Sequence, residues 1–257
     1  MLKFLIAMVV STFMTLHFVR AAQSDAERYA STEMNSGPAA KADRAVAGGV
    51  RVLFLGNSIT LHRVSVKIGW TNNWGMAASA REKDYAHLVV KGIERETATP
   101  VDMRIRNLYA FEKGFKTWDC TTELAKEIAC KPDYIVIALG ENVAELPEGP
   151  ERMAFRESFK RLLGCFITDK RRPKVVVRGT FWPNAWKEEV MSGVAKEFDV
   201  PFVGTGDLSQ DDAMKATGLF VHQGIQAHPG DRGMAAIANR ILKAFFGRSG
   251  GQARLID

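Results

Sequence analysis

The chain has 257 residues, of which 46% are hydrophobic and 25% are charged. This composition is that of an ordinary globular protein and fits a single domain of α/β size. The formal net charge is +6, but the longest run of consecutive basic residues is Lys170-Arg171-Arg172, and no nucleic-acid-binding motif accompanies it. We therefore exclude nucleic acid as a partner and interpret the charge as a solvated basic surface.

The first 21 residues are predicted to be a signal peptide. Met1-Leu2-Lys3 is a short positive segment, residues 4–19 are mostly apolar, and Val19-Arg20-Ala21 has the small-residue spacing of a cleavage site. The alternative is an uncleaved membrane anchor, although the apolar run is short against the ~20 residues that span a bilayer. In both cases we expect export, to the periplasm or the medium, and no membrane association once the signal is removed.

Residues 22–49 are polar, with Ala, Ser and Gly, and lack hydrophobic periodicity, so they are predicted to be a flexible linker. The folded domain is predicted over residues 50–247, followed by a tail at 248–257. The chain has three cysteines, and this odd count leaves at least one unpaired. Cys120 and Cys130 are predicted on one helix, about 15 Å apart, which is beyond the roughly 7 Å that a disulfide allows. No Cys or His spacing indicates zinc, and no metal or cofactor is predicted.

Five segments have the apolar composition of buried strands, namely residues 52–55, 101–108, 134–139, 174–178 and 201–203. The second alternates apolar and charged residues, which favours a position nearer the sheet edge. Helical periodicity follows in residues 79–96, 118–129, 150–168, 185–198 and 230–246. This alternation predicts a parallel sheet with helices on both faces.

Ligands of open α/β sheets bind beyond the carboxyl ends of the strands. The segments predicted at that edge are small or polar: Gly56-Asn57-Ser58, Asn107 onward, Gly140-Glu141-Asn142, Gly179-Thr180-Phe181-Trp182 and Gly204-Thr205-Gly206. We expect the functional site there.

Ser58 is a candidate nucleophile, but a serine hydroxyl needs a base to take its proton. His228 is the candidate base, because it lies in a loop before the last helix and Pro229 restricts it to extended geometry. His222 is the rival base. His62 lies four residues beyond Ser58 and is expected to line the pocket, and His87 is expected to pack within a helix.

The motifs Gly56-Asn57-Ser58-Ile59, Gly140-Glu141-Asn142 and His228-Pro229 resemble, in order and spacing, three sequence blocks of the SGNH (GDSL-type) hydrolases. The resemblance covers about residues 50–247. It implies a three-layer α/β/α sandwich with a parallel five-stranded, flavodoxin-like sheet. The alternative serine motif Gly-x-Ser-x-Gly is absent, since position 60 is Thr60.

Carried over by position, the resemblance implies that Ser58 is the nucleophile, His228 the base and Asn142 the side-chain donor of an oxyanion hole. The Ser58 N–H is a second expected donor. The family's glycine donor lies five residues past an asparagine that ends the second strand, here Asn107. That position holds Glu112, whose backbone N–H is a candidate donor, with Gly114 as a possible replacement.

The family places an aspartate three residues before its histidine, and here that position holds Ile225. The expected site is therefore a Ser–His dyad whose imidazole is oriented by a backbone carbonyl or by another carboxylate. The sequence leaves both open, and the nearby acidic candidates are Asp207, Asp211, Asp212 and Asp231.

Four tryptophans are predicted at the carboxyl edge, where flat aromatic faces suit sugar rings: Trp70, Trp74, Trp182 and Trp186. The alternative for each is packing in the core. The resemblance and the expected export together imply an esterase acting on acyl groups, O-acetyl in particular, of a small-molecule or polysaccharide ester. Two alternatives remain: an acyltransferase on the same scaffold, and a catalytically impaired carbohydrate-binding protein.

Overall fold

The structure, a computed structural model, describes residues 48–167 and 172–247. The predicted signal peptide, the C-terminal tail and all but two residues of the predicted linker lie outside the described residues. Within the described ranges, no helix combines the length and the apolar character needed to cross a bilayer.

Five parallel strands form one sheet in the order β2-β1-β3-β4-β5, which confirms the predicted flavodoxin-like arrangement. The strands are β1 (Val50–Gly56), β2 (Val101–Asn107), β3 (Tyr134–Ala138), β4 (Lys174–Arg178) and β5 (Phe202–Val203). The alternating strand, β2, lies at the edge as predicted. Gly56 pairs with Asn107 on one side and with Ala138 on the other, so the carboxyl ends of three strands are level and the turns that follow them lie close together.

Eight α-helices are described: α1 (Tyr85–Thr97), α2 (Tyr109–Gly114), α3 (Cys120–Glu123), α4 (Ala125–Ala129), α5 (Pro150–Ile167), α6 (Ala185–Glu197), α7 (Gln223–Gln226) and α8 (Asp231–Phe246). The helix predicted over 79–96 begins later, because Asp84 caps α1 by accepting a hydrogen bond from the His87 N–H. The helix predicted over 118–129 is interrupted at Leu124 and forms α3 and α4.

The sheet separates two hydrophobic cores, as expected for three layers. Side chains of β1 alternate between them, with Val52 and Phe54 facing α1 and α8, and Leu53 and Leu55 facing α5 and α6. This alternation is the period-2 geometry of a strand covered on both faces. The predicted three-layer α/β/α fold is therefore confirmed.

The cysteine prediction is wrong in one respect. Cys120 begins α3 and Cys130 follows α4, so the two do not share a helix. All three cysteines are free thiols, and the Sγ atom of Cys120 lies 2.7 Å from that of Cys165 in α5. The thiol pair that the fold brings together is thus one that the sequence spacing did not indicate.

Candidate active site

A tight turn after β1 presents Ser58. The N–H groups of Thr60 and Leu61 both donate to the carbonyl oxygen of Asn57, at 3.0 and 2.9 Å. A Cβ at Gly56 would lie 1.9 Å from Thr60 Oγ1, so the turn accepts only glycine there. Asn57 is fully buried and Ser58 is half-buried. The strand therefore ends in a rigid turn that carries an accessible hydroxyl.

His228 contacts that hydroxyl, since its Nε2 atom lies 2.9 Å from Ser58 Oγ. Its other ring nitrogen, Nδ1, lies 2.7 Å from the carbonyl oxygen of Gly224 in α7. A carbonyl only accepts, so Nδ1 carries the hydrogen and Nε2 is the acceptor for the serine proton. This is the tautomer that a general base for Ser58 requires.

The backbone on both sides holds His228 in place. Its N–H donates to the Ile225 carbonyl at 3.0 Å, and its carbonyl accepts from the Ala216 N–H at 2.9 Å. The ring of Trp182 meets the imidazole edge to face, with centroids 4.9 Å apart. Burial lowers the pKa of His228 to about 4, so the imidazole is neutral at physiological pH and free to accept a proton.

No described carboxylate occupies the third position beside His228, and the four candidate aspartates have other partners. Asp207 pairs with Arg240, Asp211 accepts from the Ala213 N–H, Asp212 pairs with Lys215, and Asp231 accepts from Ser79 and Lys83. Ile225 is 1% exposed and packs in a cluster with Trp70 and Met76. The sequence left open whether a backbone carbonyl or another carboxylate contacts the imidazole. The contact to His228 Nδ1 comes from a backbone carbonyl.

Asn142 follows β3 and is held by Glu112. Its Nδ2 donates to Glu112 Oε2 at 2.6 Å, and its backbone N–H lies 3.3 Å from Oε1. The second hydrogen on Nδ2 has no acceptor among residues 48–167 and 172–247. The arrangement leaves one amide hydrogen of Asn142 available to a ligand.

The prediction that the Glu112 N–H serves as an oxyanion donor is wrong, because that N–H donates to the Leu108 carbonyl at 3.1 Å in the first turn of α2. Gly114 is the last residue of the same helix. Glu112 instead contributes its side chain, which is 1% exposed and contacts Asn142. The sequence placed this residue near the oxyanion hole but did not predict that contact.

A buried polar cluster lies beneath the site. The Asn57 amide donates to Glu112 Oε1 at 3.2 Å and to Glu141 Oε2 at 2.6 Å. Arg178, the fully buried last residue of β4, forms an ion pair with Glu141 at 2.7 Å. Burial alone would raise the pKa of Glu141, but Arg178 and the hydrogen bonds outweigh it and the pKa is lowered. The cluster fixes the turns after β1, β3 and β4 to one another.

Arg178 was missed by the sequence reasoning. The available signal was a single arginine closing an otherwise apolar strand, since a guanidinium at that position must find a buried carboxylate. Its Nη1 also donates to the Gly179 carbonyl at 2.8 Å.

None of the other described histidines hydrogen-bonds Ser58 Oγ. His62 is half-buried with Nδ1 2.6 Å from the Arg63 carbonyl, and burial lowers its pKa. His222, the rival base, precedes α7, and its buried Nδ1 has no partner in the described part of the chain. His87 pairs with Asp84 at 2.8 Å, in the helical packing role expected for it.

Two of the four tryptophan predictions are wrong. Trp70 is 0% exposed, packs against Trp74 and Phe220, and donates to the His62 carbonyl. Trp186 is 7% exposed and packs edge to face on Phe155. Neither offers an open face to a sugar, because helical and loop packing cover both.

Trp74 and Trp182 are half-buried. Trp74 donates to the Ala78 carbonyl at 3.0 Å, and Trp182 is the tryptophan in contact with His228. Within the described ranges, no group of three or more His, Cys, Asp or Glu side chains is placed to hold a metal ion.

No protein-family model matches the chain, and no curated protein matches it. Solved structures do. A two-domain esterase active on acetylated mannans has a TM-score of 0.49 at 16% identity, over 81% of this chain and 53% of its own. A family two carbohydrate esterase from Cellvibrio japonicus has a TM-score of 0.47 at 16% identity, and the match covers 75% of this chain and 59% of the esterase chain. An extracellular lipase from Streptomyces rimosus has a TM-score of 0.48 at 12% identity, and the match covers 76% of this chain and 99% of the lipase chain.

The chain thus spans about half the length of the mannan-active esterase. The roles of the individual site residues depend on the geometry described above.

Proposed function

We propose that this protein is a serine carboxylic ester hydrolase of the SGNH type. The observation that carries the proposal is the chain of contacts from Ser58 Oγ to His228 Nε2 and from His228 Nδ1 to the Gly224 carbonyl. A nucleophile, a neutral base and an acceptor that fixes the tautomer are the parts that acyl transfer from an ester requires.

The mechanism follows from these contacts. As Ser58 Oγ attacks the acyl carbon, its proton passes to His228 Nε2, and a tetrahedral oxyanion forms. The C–O bond to the alcohol then breaks, and His228 returns the proton to the leaving oxygen. Water next gives a proton to His228 and attacks the acyl-serine, and His228 protonates Ser58 as the carboxylic acid leaves.

Two donors are available for the oxyanion. The Ser58 N–H has no acceptor among the described residues, and the Asn142 amide has one hydrogen that Glu112 does not use. Each such donor accounts for about 10²–10³ in kcat where it has been removed from other hydrolases.

We further propose that the substrate is an acyl ester, O-acetyl in particular, on a carbohydrate, and that the protein acts outside the cytoplasm. The export proposal rests on the signal-like sequence of residues 1–21. The carbohydrate proposal rests on Trp182 and Trp74, two aromatic residues that follow β4 and β1 and are only half-buried.

One observation favours a second candidate, a carbohydrate-binding protein with impaired catalysis. Because burial lowers the pKa of His228 to about 4 and no carboxylate of the described residues hydrogen-bonds its Nδ1, the imidazolium formed during the reaction is stabilised less than in a triad. Such a protein would bind glycan without turning over an ester.

The deciding experiment is release of p-nitrophenol from p-nitrophenyl acetate by the protein and by Ser58→Ala and His228→Ala. Ser192→Ala is the matched control, because Ser192 lies on α6 and bonds only its own helix at Glu189. We expect the parent and the control to turn over and both site variants to fall to background. A Ser58→Ala variant as active as the parent would reject the proposal.

If the parent turns over, acetylated glycans are the next substrates. Adding a free glycan acceptor measures how much acyl group passes to a sugar hydroxyl instead of water. Hydrolysis as the dominant outcome is expected, and transfer as the dominant outcome would identify an acyltransferase.

A further inference from the structure

The carboxylate of Glu112 is surrounded by hydrogen-bond donors. Its Oε1 accepts from the Gly140 N–H at 2.6 Å, from Asn57 Nδ2 at 3.2 Å and from the Asn142 N–H at 3.3 Å. Its Oε2 accepts from Asn142 Nδ2 at 2.6 Å. All four groups are donors only, so the site is built for an ionised carboxylate.

We propose that Glu112 is a positioning residue that holds the Asn142 side-chain amide with its nitrogen toward the reacting oxygen. The amide is planar, so fixing one N–H on Oε2 also fixes the direction of the other. Rotating the amide by 180° would bring Asn142 Oδ1 against the carboxylate, and two acceptors in contact repel. What Asn142 then does for an oxyanion rests on the proposed function, whereas its orientation by Glu112 does not.

A neutral side chain of the same shape cannot do this. In Glu112→Gln, the amide oxygen can take the place of Oε1 and keep the three donors there. The Gln amide nitrogen then faces Asn142 Nδ2, so that two donors meet. Asn142 relieves that contact by turning Oδ1 toward position 112, which removes its N–H from the reacting side.

The same geometry makes the amide sensitive to pH. Burial, and then the Glu141 carboxylate, raise the pKa of Glu112 to about 7. The charged groups that act on it from neighbouring elements are Glu141 after β3, Arg178 in β4 and Lys187 in α6. A protonated Glu112 has an O–H with no acceptor beside it, so one of the four donors must move away.

The activity test is a double-mutant cycle with Glu112→Gln, Asn142→Ala and both together, measured as kcat/KM on p-nitrophenyl acetate. Glu94→Gln is the matched control, because Glu94 also accepts a backbone N–H, that of Val101, at the opposite end of the sheet. If Glu112 acts through Asn142, we expect Glu112→Gln to lose about 10²-fold and the double variant to be no worse than Asn142→Ala alone. Losses that multiply would overturn the proposal.

The pH profile separates the two titrating groups. In the parent, kcat/KM should fall as the pH drops through about 7, where Glu112 gains its proton, and not only near 4, where His228 does. Glu112→Gln should remove the limb near 7 and leave a low, flat rate down to the His228 limb. A limb near 7 that persists in Glu112→Gln would assign it to another group.

A second readout does not depend on activity. The ¹H–¹⁵N resonances of the Asn142 side-chain amide, assigned by their loss in Asn142→Ala, should show one strongly deshielded hydrogen above pH 7 and should titrate near pH 7. In Glu112→Gln the deshielded resonance and the titration near pH 7 should both be lost. In Glu94→Gln the spectra should be the same as in the parent. If the parent hydrolyses no ester, the proposed function fails while these spectra still decide the positioning. Resonances that change neither with pH nor in Glu112→Gln would overturn the proposal that Glu112 positions Asn142.

Discussion

The carbonyl oxygen of Gly224 accepts a hydrogen bond from His228 Nδ1 at 2.7 Å, in the place where serine hydrolases with a triad have a carboxylate. The main chain of α7 therefore sets the imidazole tautomer. Because a carbonyl carries a dipole and no net charge, it orients the ring without adding an ion pair to the developing imidazolium.

Placing an aspartate at position 225, three residues before the histidine, should not create a triad. Ile225→Asp would bury a carboxylate in the cluster of Trp70 and Met76, while His228 Nδ1 already has its partner. We expect a loss of about 2–4 kcal/mol in the free energy of unfolding and no gain in kcat/KM. Urea denaturation and esterase assays measure the two effects. Ile225→Val is the control and should cost about 1 kcal/mol, and a gain in activity for Ile225→Asp would contradict the prediction.

The imidazole of His228 should make stability depend on pH in a defined direction. The folded-state pKa of His228 is lowered to about 4 from the usual 6.5, so between these values the unfolded chain binds more protons than the native protein. The stability that the neutral His228 imidazole contributes is complete above pH 6.5 and is lost as the pH falls toward 4. The parent should therefore lose more stability over that range than His228→Gln, measured by urea unfolding at several pH values. Equal losses would show that His228 is not the group responsible.

Trp182 and Trp186 are close in sequence but should behave differently. Trp182 is half-buried and contacts His228, whereas Trp186 is buried against Phe155. Trp182→Ala should lower kcat/KM with little change in unfolding. Trp186→Ala should lower the free energy of unfolding by about 3–5 kcal/mol and leave KM for the folded enzyme near the parent value. The reverse pattern would return Trp186 to the substrate site.

The thiols of Cys120 and Cys165, 2.7 Å apart, should form a disulfide when an external oxidant such as oxidised glutathione takes up two electrons and two protons. Cys130 bonds the Glu127 carbonyl and has no thiol neighbour in the described part of the chain. Titration of free thiols under denaturing conditions should therefore fall from three to one in the parent. The number of free thiols should fall from two to none in Cys130→Ser, and both free thiols should remain in Cys120→Ser.

Much of the fold was predictable from the sequence, because strands such as β3 and β4 are continuous apolar runs and α8 carries a full helical period. The short helices α2 and α7 were not, since four to six residues contain too little of a period to detect. They bring Glu112 to Asn142 and Gly224 to His228, so the site was predicted in its named side chains and missed in what orients them. The errors at Trp70 and Trp186 have a different origin, because a tryptophan placed at the correct edge of a sheet by its sequence position can still point inward. Trp70 packs in a separate cluster with Met76 and Ile225, and Trp186 packs in the core beneath α5 and α6.

The acceptor for His228 belongs to the main chain, and this affects how variation at the site can be interpreted. Every amino acid keeps its carbonyl, so no exchange of residue 224 deletes the group, and a saturation screen would score only the crowding of a new Cβ, which would lie 2.9 Å from His222 Cε1. A substitution screen would therefore not detect the Gly224 carbonyl oxygen, the atom that fixes the tautomer of His228. Inserting or deleting one residue between positions 224 and 228 would reveal it, because either change moves the carbonyl out of register with the imidazole while the side chains of Ser58 and His228 are retained.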